Sequence, residues 1–269
     1  MNVPAPRERS SAGASSARPK TELSLPLRDR IALLVQRELG RVTALVWVPL
    51  AVAVMRIGYG WRIRDLQAAR AAFRAARREG GPLLVCANHL TMVDSLVVAW
   101  ALAGPLTHLV RFSGLPWNLP ERANFAASPL ARVLAFFSKC LPISRGTDRR
   151  ESARVVARAA WLVARGEAVL VFPEGGRSRT GRVDPENAAH GVGRLVGQVE
   201  GCRVFCVYLR GESQVEMSSL PARGETFRVR TELIEPRSAA RGVRRSLDLA
   251  SQIVYRLAEL ERMTLEEMR

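Results

Sequence analysis

The residue best suited to moving protons in this chain is His89, followed five residues later by Asp94 in the run His89-Leu90-Thr91-Met92-Val93-Asp94. Imidazole titrates near neutral pH, so it can take and return a proton under ordinary conditions. A carboxylate holding one ring nitrogen leaves the other free as a base. On a continuous helix, residues five apart point about 140° away from each other. The two can therefore meet only if His89 lies in a turn and Asp94 in the first turn of a helix, with Thr91 as its N-cap. The same spacing also fits a plain capping pair of Thr91 and Asp94, with His89 an ordinary turn histidine. A second cluster, Pro173-Glu174-Gly175-Gly176-Arg177-Ser178-Arg179, has the make-up of an oxyanion or phosphate site. Glycines let backbone N–H groups approach a ligand, and arginine supplies bidentate charge. The alternative is a glycine turn with solvated arginines. In the third cluster, Leu141-Pro142-Ile143-Ser144-Arg145, an apolar run delivers an arginine, or simply ends in a surface one.

Each cluster needs an element to hold it, and each follows a short apolar run. Pro82–Ala87 reads as a short apolar strand introduced by Gly80 and Gly81, and Ala168–Phe172 as a central strand covered on both faces. Leu141–Ser144 reads as a third strand, and Leu106–Phe112, Arg203–Leu209 and Thr226–Ile234 as further ones. The last turns Phe227, Val229, Thr231 and Leu233 inward. Helices are expected over Arg64–Arg78, Met92–Ala103, Pro129–Phe137, Arg150–Arg165, Ala188–Val199 and Val243–Met268. Strands alternating with helices predict an α/β fold, a mainly parallel sheet flanked by helices. The Arg64–Arg78 helix places Leu66, Ala69, Phe73 and Ala76 on one face, beside a basic stripe of Arg70, Arg74, Arg77 and Arg78. That stripe is either a solvated face or one that rests on anionic lipid.

The N-terminal part divides differently. Residues 1–26 are rich in Ala, Ser, Pro and Arg and read as a disordered basic tail without the apolar core of a signal peptide. Residues 27–60 read as a membrane-associating helical segment, and 61–269 as the catalytic domain. From Val42 to Met55 no residue is charged, and Arg41 and Arg56 bound the run. A spanning helix needs about 18–20 such residues, so this run suits a segment at the interface or dipping into one leaflet. A buried core helix is the competing reading.

Composition narrows the partners. The chain has 269 residues, a net charge of +16 and a hydrophobic fraction of 48%, which excludes wholesale disorder. All but two (Lys20 and Lys139) of its 41 basic residues are arginine. Such an excess points to an anionic partner: a membrane surface, a phosphorylated substrate or nucleic acid. Aromatic residues make up only 6%, and no zinc-finger, OB-like or RNP pattern supports the nucleic-acid reading. Cys86, Cys140, Cys202 and Cys206 lack metal-ligand spacing, so no metal site and no disulfide framework are expected.

In their order, the three clusters resemble the glycerolipid acyltransferase family of the lysophosphatidate acyltransferase, His-x4-Asp type. The family's Asn-His-x4-Asp block is matched by Asn88, His89 and Asp94, and its apolar strand ending in Arg by Ile143 and Arg145. Its Phe-Pro-Glu-Gly block is matched by Phe172, Pro173, Glu174 and Gly175, followed by Arg177 and Ser178. The resemblance covers residues 80–210. It implies that His89, oriented by Asp94, removes a proton from an acceptor hydroxyl attacking an acyl thioester. It further implies that Arg145 and Arg177 hold the acceptor's phosphate, and that Glu174 and the Gly175 backbone shape that pocket. No cofactor is implied. The co-substrate would be acyl-CoA or acyl-carrier protein, the acceptor a membrane lipid such as 1-acylglycerol-3-phosphate, and the product phosphatidate. The place would be the cytoplasmic face of the inner membrane, in a peripheral or monotopic arrangement. No Ser or Cys pairs with the base, and Cys86 reads as structural. The insertion Ser113–Ala127, with Trp117 and Phe125, either lines an acyl-chain groove or is an ordinary loop. Gly176 stands where the family usually has Thr, Cys140 where it has Gly, and Cys206 where it has a strand Pro. Those departures leave open a lyso-aminolipid or another alcohol as acceptor. A non-enzymatic nucleic-acid binder is the reading from another class.

Overall fold

Runs that are apolar on both sides of the backbone become the middle of the sheet. In the computed structural model, residues 23–126, 128–144 and 149–269 are described. In chain order the elements are α1 (Leu27–Ala53), continued by a π-helical turn (Val54–Gly58), β1 (Arg62–Ile63), α2 (Leu66–Arg78), β2 (Leu83–Ala87), α3 (Asp94–Leu102) and α4 (Pro105–Val110). There follow a 3-10 turn (Phe112–Gly114), β3 (Trp117–Asn118), α5 (Ala123–Ala126), α6 (Pro129–Phe137), α7 (Arg149–Ala164) and β4 (Val169–Val171). The chain closes with α8 (His190–Gln198), β5 (Arg203–Gly211), β6 (Thr226–Ile234) and α9 (Gly242–Glu267). The six strands lie in the order β1-β6-β5-β2-β4-β3. Strands β5, β2, β4 and β3 run parallel, as do β1 and β6, and among the described residues only the β5–β6 pair is antiparallel. The sheet is thus mostly parallel and flanked by helices.

All five residues of β2 are buried, and their alternation divides them between two cores. Leu84 and Cys86 face the side closed by α7, α8 and α9; Leu83, Val85 and Ala87 face the side closed by α2 and α3. β5 repeats the division, with Val204, Cys206 and Tyr208 on one side and Phe205, Val207 and Leu209 on the other. Two covered faces explain why these strands read as continuous apolar runs rather than alternating ones. Burial of this kind stabilises by about 25 cal/mol per Å2 of apolar surface removed from water. Helices α8 and α9 cross closely at Gly193, where an added Cβ would lie 1.7 Å from the Ser246 carbonyl oxygen.

Three expectations change. Leu106–Phe112 is helical: Gly104 and Pro105 start α4, and a proline at the first position favours a helix. Its alternation misleads because Leu106 and Val110 are one turn apart on an exposed face, while His108 turns inward to the Ala99 carbonyl. Leu141–Ser144 forms no regular strand; Cys140 and Ile143 make single bridges to Asn118 and Glu121. On β6, Phe227 is buried as expected, whereas Val229 and Leu233 are only partly covered.

The two longest helices are built oppositely. α9 buries Leu249, Ile253, Val254, Leu257 and Leu260, together with Glu261, and turns most of its other charged residues outward. α1 buries Asp29, Leu33, Gln36, Gly40, Ala44 and Val48 along one stripe. Asp29 accepts from Arg154 and Arg158 of α7, at 2.5 and 2.6 Å, and Gln36 donates to the carbonyls of Phe136 and Cys140. Arg37 reaches Glu167 at 2.8 Å. Its apolar residues Val42, Leu45, Val46 and Leu50 face outward, and so do Leu106 and Val110 of α4 and Leu130, Val133 and Leu134 of α6. Helical residues Leu27–Gly58 are long and apolar enough to cross a membrane, a longer unit than the uncharged run alone indicates. One such helix near the N-terminus could associate with a membrane. Of the tail at residues 1–26, residues 1–22 lie outside the described residues, and Leu25 is buried against the main core.

Candidate active site

Parallel strands β2 and β4 end side by side, with Cys86 opposite Val171. The chain leaving β2 carries Asn88 and His89; the chain leaving β4 carries Phe172, Pro173 and Glu174. Ligands of open α/β sheets gather at such carboxyl ends. Asn88 clamps the exit of β2 to β5, donating through Nδ2 to the Leu209 carbonyl at 2.9 Å and accepting from the Leu209 N–H at 2.7 Å. That fixes where the next residue emerges.

His89 lies in the turn and Asp94 is the first residue of α3, the arrangement their spacing requires. Asp94 Oδ2 is 2.9 Å from His89 Nδ1. The same oxygen accepts from the backbone N–H groups of Leu90 at 2.6 Å and Thr91 at 2.7 Å. Oδ1 accepts from the Thr91 hydroxyl at 2.5 Å. The capping interaction and the imidazole contact therefore coexist in one carboxylate. Thr91 is not the N-cap, which is Val93; its hydroxyl instead accepts from the Val93 N–H while donating to Asp94. Asp94 is almost fully buried, whereas the His89 side chain keeps 16% of its surface exposed. Nε2 of His89 has no protein hydrogen-bond partner among the described residues. The ring stacks on Phe172, centroids 4.0 Å apart and planes within 13°. Nδ1 on a carboxylate, one face on an aromatic ring and Nε2 open is the geometry of a positioned base.

The second cluster packs directly behind this pair. Glu174 is buried, and its Oε1 accepts from the His89 backbone N–H at 3.3 Å. Burial pushes the Glu174 carboxyl up to about 7; the His89 N–H opposes the rise and Glu261 adds to it. Gly175 adopts φ +70°, a conformation natural only to glycine, and its N–H closes a turn onto the Phe172 carbonyl. Ser178 N–H donates to the His89 carbonyl at 2.9 Å. Arg177 is half-buried and donates to the Ser218 carbonyl at 3.4 Å. The structure thus brings His89, Asp94, Glu174, Gly175 and Arg177 together. Arg145 lies outside the described residues; the segment before it, Cys140–Ile143, bridges to β3 and its continuation.

Sequence reasoning overlooked the loop between β5 and β6. Ser218 N–H donates to the Leu90 carbonyl, and Met92 N–H donates to the Ser219 carbonyl. These are backbone bonds, so no side-chain pattern could have signalled them. Exposed Met92, Val215, Met217 and Leu220 give this rim an apolar character. Of the aromatic residues expected to line an acyl groove, Trp117 is fully buried and donates to Glu167 at 3.0 Å. Phe125 lines a cleft of about 580 Å3 with Phe136 and Leu141, but Arg122, Arg132, Glu151, Arg154 and Arg158 line it too, so it is not an apolar groove.

Cys86, three residues before His89, is completely buried, and burial drives its thiol well above the usual range, so it is no nucleophile. All four cysteines are free thiols. Among the described residues no three of His, Cys, Asp and Glu gather closely enough to hold a metal ion.

A family model described as Acyltransferase matches residues 66–210, more than half of the chain and every residue of the cluster around His89 except the β5–β6 loop. No curated protein matches the chain.

Proposed function

The chain belongs to the acyltransferase family, and from that premise we propose that it moves a fatty acyl group from a thioester to the hydroxyl of a lysophospholipid at a membrane surface. The donor is acyl-CoA or acyl-carrier protein, and the acceptor 1-acylglycerol-3-phosphate, giving phosphatidate. The observation that carries this reading is the His89 ring held by Asp94 at Nδ1, with Nε2 open at the end of the parallel strands.

In this mechanism Nε2 removes the proton from the acceptor hydroxyl as its oxygen attacks the thioester carbonyl carbon. A neutral hydroxyl is a poor nucleophile, so a positioned base contributes about 10²–10⁴-fold. The tetrahedral intermediate collapses, the C–S bond breaks, and the imidazolium returns its proton to the departing thiolate. Asp94 stabilises that imidazolium and fixes the ring's orientation, and Phe172 holds its plane. Arg177, with Arg145, binds the acceptor's phosphate.

Membrane association is supported by the outward apolar residues of α1, α4 and α6 and by Met92, Met217 and Leu220 beside His89. A water-insoluble acceptor would reach the base across that rim.

The test is incubation of the full chain with labelled acyl-CoA and a panel of lysolipids, with the products identified. The expected product is phosphatidate. Acylation confined to a lyso-aminolipid or a non-phosphorylated alcohol would keep the chemistry and overturn the acceptor. No acyl transfer to any hydroxyl, from either donor, would overturn the proposal.

A further inference from the structure

A cleft of about 530 Å3, at the N-terminal ends of the strands and away from His89, is lined by arginines that acyl transfer does not use. Helix α2 contributes Arg70, Arg74, Arg77 and Arg78, α1 contributes Arg37 and Arg41, and Arg111 follows α4. No acidic side chain lines it among the described residues. The volume falls within the roughly 300–1,000 Å3 of small-molecule sites.

The arginines divide into braced and open groups. Arg77 donates to the Gly166 carbonyl at 2.8 Å and to the Ser113 hydroxyl at 3.0 Å. Arg70 donates to the Trp100 carbonyl at 3.0 Å, while its buried Nε has no partner. Arg37 is paired with Glu38 and Glu167. Arg74, Arg78 and Arg111 are exposed and make no ion pair among the described residues. Burial, then the charges of Arg74 and Arg56, hold the Arg70 guanidinium below its usual value; burial lowers Arg77 too, with Glu167 opposing and Arg111 adding to it. These cations repel one another, and a multiply bonded anion would relieve that repulsion. Phosphate oxygens match the bidentate guanidinium fork.

The position separates this cleft from the catalytic end. Arg77 binds Gly166, just before β4 begins, and Ser113, whose carbonyl accepts from the Ala168 N–H. Both mark the strands' N-terminal ends, whereas His89 follows the C-terminal end of β2. Five residues of β2 span about 16 Å, so one phosphate cannot serve both places. The rim identifies the kind of anion. Val110 lines the cleft and is 68% exposed, and Leu106, one turn earlier, is 74% exposed. Arg41 is followed directly by exposed Val42 on α1, with Leu45 and Val46 beyond it. A soluble anion has no use for this apolar border, but a lipid needs both parts.

We propose that this cleft is a second lipid site, which binds the phosphate of an anionic phospholipid head group while α1 and α4 rest in the surrounding acyl chains. It is separate from the acceptor site and anchors the protein to anionic bilayers whether or not substrate is present. The proposal rests on the membrane association argued above.

The test uses the full chain and flotation with phosphatidylcholine vesicles, with and without phosphatidylglycerol. Wild type should bind the anionic vesicles more tightly, and added salt should weaken that preference. In the Arg74→Gln/Arg78→Gln/Arg111→Gln variant the preference should fall on the order of a hundredfold, since each basic side chain near an anionic surface contributes roughly fivefold. Its melting temperature and its binding to neutral vesicles should not change. An Arg241→Gln/Arg244→Gln/Arg245→Gln control, at the start of α9, should keep the preference; an equal loss there would reduce the effect to net charge and overturn the site. If both proteins float equally on both kinds of vesicle, the cleft proposal falls and membrane association stands. If wild type floats with neither, membrane association itself fails. If inorganic pyrophosphate raises the melting temperature of wild type but not of the cleft variant, and anionic vesicles give no gain, the ligand is a free phosphate compound and the lipid assignment is wrong.

Discussion

Two carboxylates lie buried at opposite ends of the same sheet, Asp94 past the end of β2 and Glu167 just before β4. Both are fully hydrogen-bonded, but to different kinds of partner. Glu167 accepts from Lys139 at 2.8 Å, Trp117 at 3.0 Å and Arg37 at 2.8 Å. The Lys139 ammonium, itself fully buried, uses its other protons on the carbonyls of Phe112 at 3.1 Å and Leu115 at 2.7 Å. Burial pushes the Glu167 carboxyl up, and the Lys139 charge and its hydrogen bond outweigh this, so the carboxyl sits below its usual value. Every polar valence in that cluster closes on protein. Asp94 instead holds an imidazole whose second nitrogen has no protein partner among the described residues. Burial of charge alone therefore does not mark chemistry; a titratable group with one open valence does. The Glu167 cluster joins α1 to the sheet, and the Asp94 cluster presents a base.

The same isosteric change at each carboxylate tests that contrast. Asp94→Asn should lower kcat by about 10³-fold, because an amide neither holds the Nδ1–H tautomer nor stabilises the imidazolium. Steady-state acyl transfer reads this, with thermal melting to confirm a folded protein. A residual rate within tenfold of wild type would remove the distinction. Glu167→Gln should do the reverse. Stranding the Lys139 ammonium should destabilise the fold by about 3 kcal/mol, read by urea unfolding, with kcat per folded molecule unchanged. If activity falls and stability does not, the assignment of the two clusters is inverted.

A smaller effect sharpens the boundary between them. Glu174 backs the His89 loop with its carboxyl raised to about 7. A raised acid binds its proton more tightly in the folded state, so folding gains stability below its ordinary value near 4.5, and loses it as pH rises from there towards 7. Wild type should lose on the order of 3 kcal/mol across that window. Glu174→Gln should flatten the dependence and be the more stable protein at pH 8. Identical pH profiles of melting temperature would show that Glu174 is ionised at no cost to the fold.

The two clusters also differed in how far the amino-acid sequence disclosed them. His89 and Asp94 are close in sequence, and a turn-then-helix reading of five residues suffices to bring them together. The runs Pro82–Ala87 and Ala168–Phe172 announce strands because they are short and apolar, and the second a covered one because both of its faces are apolar. Lys139 and Glu167 meet only through the tertiary fold, and no spacing rule predicts such a partner. The stacking of Phe172 on His89 likewise depends on β2 and β4 being neighbours. β1 and β3 are two residues each, too short to show a period. Pro105 was the signal against a strand at Leu106–Phe112, and the alternation concealed it. On α1 the uncharged run from Val42 was legible, but not that Asp29 and Gln36 point inward to polar partners and leave the apolar side outside.

His89 as the base is the point from which the rest follows. The most direct measurement is the rate of acyl transfer from a labelled thioester by His89→Ala, compared with wild type at equal folded concentration and equal membrane binding. A loss of about 10⁴-fold, partly restored by added imidazole, is the expected result. Substantial turnover by the variant without imidazole would contradict it.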